Sequence, residues 1–187
     1  MRIISGKAKG TKLNTLEGDS TRPTLDRVKE SLFNIIQASI QDAVVLDLFG
    51  GSGALGIESL SRGASLAVIC DNSKYAISII NENLEKAKLE ERAMVFNLDY
   101  QNCLAQIKDK NIKFDLIFID PPYKSGLASL AIEQIMKLEL LNETGTIILE
   151  TNLKQKDLNK INESYDLEVY DVRKYGKILL MFLSRKG

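Results

Sequence analysis

Short apolar runs alternating with helix-length segments constrain this chain more than any other feature. The runs are Val44 to Leu48, Leu66 to Cys70, Ala93 to Leu98, Phe114 to Ile119 and Thr146 to Leu149. Strands buried on both faces read as short continuous apolar runs, and strand alternating with helix predicts a parallel, doubly wound sheet. Two further β-rich runs, Leu167 to Tyr175 and Lys177 to Leu183, are separated only by Gly176 and predict a closing antiparallel hairpin. The expected class is therefore α/β, a Rossmann-like, mostly parallel seven-stranded sheet. Before the first run, Leu25, Val28, Leu32, Ile35 and Ile36 recur at helical spacing behind Thr24, a candidate N-cap. The first ~20 residues read as a short extended appendage with turns at Gly6 and Gly10. Residues 1–40 are thus expected to form an N-terminal extension and helix, and 41–187 the main domain.

Composition removes whole classes of chemistry. The chain has no histidine, which excludes Ser-His-Asp and Cys-His catalysis, histidine bases and histidine-ligated metals. Its two cysteines, Cys70 and Cys103, form neither a CxxC pair nor a disulfide framework, so a reducing cytoplasm is the expected setting and no metal is expected. The longest stretch without a charged residue is 11 positions, Ser31 to Gln41, too short for a membrane span. Formal charge is zero, but it is unevenly distributed. Residues 1–30 hold seven basic and four acidic side chains, 31–171 hold 13 and 21, and 172–187 hold five and none. Basic ends suit a phosphate backbone if they converge in space; the plainer alternative is a solvated surface.

The first strand runs into Leu48-Phe49-Gly50-Gly51-Ser52-Gly53-Ala54-Leu55-Gly56, so Gly51, Gly53 and Gly56 satisfy GxGxxG between a strand and a helix. Asp71 ends the second strand 20 positions after Gly51, where a carboxylate can accept ribose hydroxyls. A nucleotide-like cofactor belongs here. Asp47, just before the glycines, would repel a dinucleotide's pyrophosphate and attract the cationic methionine end of S-adenosylmethionine, which favours the latter over NAD. The alternative, that Asp47 braces the turn by a hydrogen bond, stays open. The fourth strand ends in Asp120-Pro121-Pro122-Tyr123. Two prolines stiffen the backbone there; Asp120 and a neighbouring carbonyl can hold an exocyclic amine, and Tyr123 offers a flat face for a base.

Asp120-Pro121-Pro122-Tyr123 resembles the D/N-PP-Y/F motif of amino-group methyltransferases. The leader Arg2-Ile3-Ile4-Ser5-Gly6, with Gly10, Leu13, Thr21-Arg22-Pro23-Thr24, Asp26-Arg27-Val28 and Glu30, is similar to the RsmD family of bacterial 16S rRNA guanine-N2 methyltransferases. Gly50 departs from the family's usual alanine and Asp71 from its frequent glutamate. The resemblance implies methyl transfer from S-adenosylmethionine to a guanine of 16S rRNA, free or in a small-subunit assembly particle, by a monomer. It implies that Asp47, Phe49 and the Gly51 to Gly53 turn hold the methionine portion and its surroundings. Asp71 would hold the ribose, and Asp99 with Tyr100 the adenine, Asp99 being equally a candidate helix N-cap. Asp120, Pro121, Pro122 and Tyr123 would hold the target guanine, and Arg2, Lys7, Lys9, Lys12, Arg22 and Arg27 the RNA. The same D-PP-Y motif would serve a methyltransferase acting on adenine N6 or a protein glutamine, and an NAD-dependent oxidoreductase shares the glycine loop.

Overall fold

Seven strands form one sheet in the order β3-β2-β1-β4-β5-β7-β6. The computed structural model describes residues 1–16, 23–122, 126–151 and 165–187. The strands are β1 (Val44–Asp47), β2 (Leu66–Asp71), β3 (Ala93–Asn97), β4 (Phe114–Ile119), β5 (Leu141–Thr151), β6 (Leu167–Tyr175) and β7 (Ile178–Arg185). β1 to β5 are mutually parallel, and β7 is antiparallel to both β5 and β6. The expected architecture is therefore present, with two local differences. β5 begins at Leu141 instead of Thr146, because its pairing with β4 slips between Phe114 and Leu116, around Gly145, before settling into register. The β6–β7 turn uses Gly176 and Lys177 together, since Tyr175 pairs directly with Ile178 and Gly176 takes a φ of 61°.

The helices are α1 (Pro23–Ile35), α2 (Ala54–Ser61), α3 (Lys74–Ala87), α4 (Tyr100–Asp109) and α5 (Leu127–Lys137). α1 starts at Pro23, so Thr24 lies inside its first turn; proline lacks the N–H that a first helical position leaves unpaired anyway. α1, α2 and α3 cover one face of the sheet, where Phe33, Ile57 and Ile80 pack on Val45, Ile69 and Phe118. α4 and α5 cover the other, where Leu104, Ile107 and Ile132 pack on Leu46, Ile117 and Leu149. Coverage of both faces is what the continuous apolar strand runs require.

The N-terminal appendage folds back on itself. Arg2 and Lys12 form an antiparallel bridge, and the Leu13 amide donates to the Met1 carbonyl at 3.0 Å. Ile3 and Leu13 are buried in the same apolar cluster as α1 and α2. Gly6, at φ 83°, lies so close to α2 that a Cβ there would fall 1.8 Å from the Ser61 carbonyl oxygen. β1 pairs with β2 on one side and β4 on the other, so the chain reverses its winding between β1 and β4. The carboxyl ends of strands at such a switch point are where α/β sheets bind ligands.

Candidate active site

The bend after β1 is held by backbone bonds. Gly50 N–H donates to the Cys70 carbonyl at 2.8 Å and Gly53 N–H to the Gly50 carbonyl at 2.7 Å. Gly51 and Gly53 take φ values of 56° and 75°, which other residues rarely adopt. At Gly51 a Cβ would find nothing nearer than Leu16 Cδ1, 3.9 Å away, so the space over the bend is open. Gly56 does the opposite job. A Cβ there would fall 2.8 Å from Ile69 side-chain carbons, so glycine lets α2 pack closely on β2. Gly50 faces the same residue, with 2.6 Å to Ile69 Cγ2, which is why an alanine would be crowded at this position.

Two carboxylates frame the bend. Asp47 is 3% exposed, and its Oδ2 accepts the Gly56 N–H at 3.0 Å. Gly53, the residue before α2, has no side chain to cap the helix, and Asp47 supplies that cap from the strand. Bracing and ligand contact are compatible, because Asp47 also lines the cavity described below. Burial pushes its carboxyl up to about 7, against the lowering effect of the Gly56 bond and with a smaller rise from Asp71. Asp71 Oδ2 accepts the Gly51 N–H and Oδ1 the Ser73 N–H, both at 2.9 Å. The acid spaced 20 residues from the glycine loop thus clamps that loop.

The raised Asp47 carboxyl has a measurable consequence. Between about pH 4 and 7 the unfolded chain has lost this proton while the folded one keeps it, so ligand-free stability falls as pH rises through that window. The contribution of this one group is roughly 2–4 kcal/mol. Urea titrations at several pH values are expected to show the decline, and Asp47→Asn to flatten it; parallel curves for the two proteins would contradict the assignment.

Asp99 is the N-cap of α4, accepting from Asn102 N at 2.9 Å and Asn102 Nδ2 at 2.6 Å, bonds that hold its carboxyl below the usual range. Tyr100 and Phe49 form a tilted ring pair, with centroids 6.0 Å apart and planes at 40°. One cavity of about 700 Å³ joins these groups to the tip of β4. Asp47, Phe49, Gly51, Asp71, Asp99, Tyr100, Asp120, Pro121 and Pro122 all line it, while Gly53 is buried beneath the bend. Tyr123 and Arg22 lie outside the described residues. Arg2, Lys7, Lys9, Lys12 and Arg27 are exposed and do not line the cavity.

Sequence reasoning missed the residues that dock the leader beside this cavity. Glu58 of α2 is fully buried and accepts the amides of Ile4 at 2.9 Å and Ser5 at 3.1 Å. It also pairs with Lys29 at 3.2 Å and Arg62 at 2.8 Å. Lys29, 5% exposed, donates to the Arg2 carbonyl at 2.7 Å and lines the cavity. Burial pushes its ammonium pKa down, and Glu58 opposes that shift. Asn83 joins the leader to the bend, donating from Nδ2 to the carbonyls of Asn14 and Ser52, each at 2.9 Å, and accepting the Asn14 amide at 2.7 Å. A signal for Glu58 did exist: α2 is apolar on every side (Ala54, Leu55, Ile57, Leu60), so an acid within it has no solvated face and needs cations.

The family model described as "Conserved hypothetical protein 95" matches residues 1–184. Among curated relatives, "Putative rRNA methyltransferase YlbH" of Bacillus subtilis is 41% identical over 150 residues, 80% of this chain and 82% of the relative. "Ribosomal RNA small subunit methyltransferase D" of Haemophilus influenzae is 38% identical over 159 residues, 84% of this chain and 81% of the relative. Among solved structures, "Putative methyltransferase yhhF from Escherichia coli" superposes with a TM-score of 0.84 at 30% identity, covering 100% of this chain and 98% of that one.

Proposed function

The chain belongs to the conserved hypothetical protein 95 family, the RsmD family its motifs resemble, and from that membership we propose that it methylates the exocyclic N2 of a guanine in 16S rRNA of the small ribosomal subunit, using S-adenosylmethionine. The observation that carries the reading is the meeting, in one cavity at the switch point, of a glycine bend with a buried acid and the Asp120-Pro121-Pro122 strand tip. The residues present fit the methyl donor. The cavity is large enough, the space over Gly51 is open, and Asp47 is a desolvated acid that a nearby cation would stabilise in its charged form. When bound, S-adenosylmethionine supplies a methyl group made electrophilic by its sulfonium.

In this reading Asp47 and the Gly51 to Gly53 turn, with Phe49, hold the methionine portion. Asp71 holds the ribose. Each of its oxygens accepts one backbone N–H and keeps a further acceptor site for a hydroxyl. Asp99 and Tyr100 hold the adenine. Asp120 and the adjoining proline backbone accept from the guanine amine, which is a poor nucleophile while its lone pair is delocalised into the ring. Holding the amine turned out of conjugation and aimed at the methyl is the main contribution, and Asp120, at the solvent edge, takes the proton the amine sheds. Tyr123 is the assigned stacking face. Residues 1–40 form the RNA-contacting extension of the 41–187 catalytic domain, and the enzyme works in the cytoplasm as a monomer without metal.

Arg2 and Lys12 face each other directly across the leader bridge, both exposed, an arrangement that costs energy until an anion lies between them. Replacing both with alanine is expected to weaken RNA binding and to reduce the slope of log affinity against log salt by about one to two. An unchanged slope would remove these two from the RNA contact. The reading as a whole is tested by incubating the protein with labelled donor and undermethylated small-subunit RNA, naked and protein-bound, then digesting to nucleosides. N2-methylguanosine is the expected product; N6-methyladenosine, or no RNA product, would overturn it.

A further inference from the structure

We propose that Glu150 is the residue that selects guanine as the target, its carboxylate accepting the ring N1–H while Asp120 accepts from the exocyclic amine. The assignment rests on the guanine reading above. Its basis is a juxtaposition set by the sheet. β4 and β5 run parallel with Ile119 beside Leu149, so the next positions along, Asp120 and Glu150, are neighbours on strands about 4.8 Å apart. Both follow by two residues a member of the apolar cluster under α1, Phe118 and Ile148, and so lie over the same face. On its other side Glu150 pairs with Leu180 of β7. Asp120, Glu150, Phe118, Ile148 and Leu180 all line the same cavity, as do Val28 and Leu32 of α1.

Two carboxylates side by side in a partly apolar cavity accept hydrogen bonds and donate none when ionised. Each carboxylate has room for more than one donor beside the protein partner it already has, and a flat group presenting adjacent donors complements the pair. Guanine's Watson–Crick edge does so, with N1–H next to the N2 amine. Adenine and cytosine each set a bare ring nitrogen beside their amine, and a glutamine side chain sets a carbonyl there. Each of these would turn a lone pair toward Glu150. A site built to accept a particular N–H rejects analogues that lack it far more strongly than an apolar pocket rejects a missing methyl. Glu150 therefore separates guanine from the other amines that Asp120-Pro121-Pro122 could hold. The apolar part of the cavity accommodates the ring, which a target must bring to it unstacked.

The test uses the full chain, an RNA fragment containing the guanine mapped in the nucleoside experiment, and the same fragment with 2-aminopurine at that position, which keeps the amine but has no N1–H. Wild type is expected to favour the guanine fragment by about 10⁴-fold in kcat/KM. Glu150→Gln is expected to bring the ratio between the two fragments near one, because its amide can accept from guanine N1–H through Oε1 and donate to the bare N1 of 2-aminopurine through Nε2. S-adenosylhomocysteine affinity and melting temperature, measured for both proteins, should agree closely. Glu150→Gln with wild-type turnover and unaltered discrimination would overturn the role of Glu150 and leave the guanine reading intact. So would a loss of cofactor affinity in step with turnover, the mark of a structural role. Failure of wild type to form N2-methylguanosine would overturn both.

Discussion

Asp120→Ala is expected to reduce methyl transfer by about 10³-fold or more, equivalent to roughly 4 kcal/mol of lost transition-state stabilisation, while leaving S-adenosylhomocysteine affinity within a few-fold of wild type. The split follows from where the residue stands. Asp120 is exposed at the tip of β4, outside the apolar clusters, so its removal leaves the core unchanged. The groups proposed to face the cofactor are held by bonds of their own, Asp47 to Gly56, Asp71 to Gly51 and the bend through its backbone. In the proposed reading the variant loses the acceptor that holds and orients the amine, and orientation is the largest contribution available to a site with no histidine and no covalent step. Single-turnover rates with saturating donor, alongside calorimetric titration of the product cofactor, give both numbers. Turnover near wild type would remove Asp120 from the reaction, and a parallel collapse of cofactor affinity would make its role structural.

The second large effect concerns stability. Glu58→Ala is expected to destabilise the fold by about 3–5 kcal/mol, because it strands a buried cation and two backbone donors at once. Lys29, 5% exposed, loses the anion that partly offsets its desolvation, and the Ile4 and Ser5 amides lose their acceptor. For a chain of 187 residues this corresponds to a fall in melting temperature on the order of 10 °C. Glu58→Ala combined with Lys29→Met should cost less than the two changes added separately, since the second removes the charge the first leaves unpaired. Denaturant midpoints for the three variants measure this; strict additivity would show that Glu58 and Lys29 are not coupled, and a loss below about 1 kcal/mol for Glu58→Ala would show that the carboxylate is dispensable.

Much of the fold was legible because its signals are local. Val44 to Leu48 and Phe114 to Ile119 announce buried strands by composition, and Gly51, Gly53 and Gly56 announce the bend by spacing. The roles of those glycines then follow from what stands opposite them. Ile69 crowds both Gly50 and Gly56 from β2, a contact that becomes visible only once α2 lies on the sheet. Asp47 and Asp71 were legible as acids flanking a glycine loop, and bracing of the turn by Asp47 as one of two open readings, but their partners Gly56 and Gly51 were not. Those bonds depend on angles that sequence spacing leaves undetermined. The leader was the least legible part. Its sequence suggests an extended appendage, whereas its backbone amides are fixed by Glu58 and Asn83, residues more than 50 positions away. The slip in β5 near Gly145 was hidden for a similar reason, since strand registry is settled between partners and not within one run.

Asn83 gives this arrangement a thermodynamic consequence. One amide grips the carbonyls of Asn14 and Ser52 together, so leader and glycine bend share a fastening. In the proposed reading, whatever factor RNA on the leader contributes to the affinity for the methyl donor, the donor returns to the affinity for RNA.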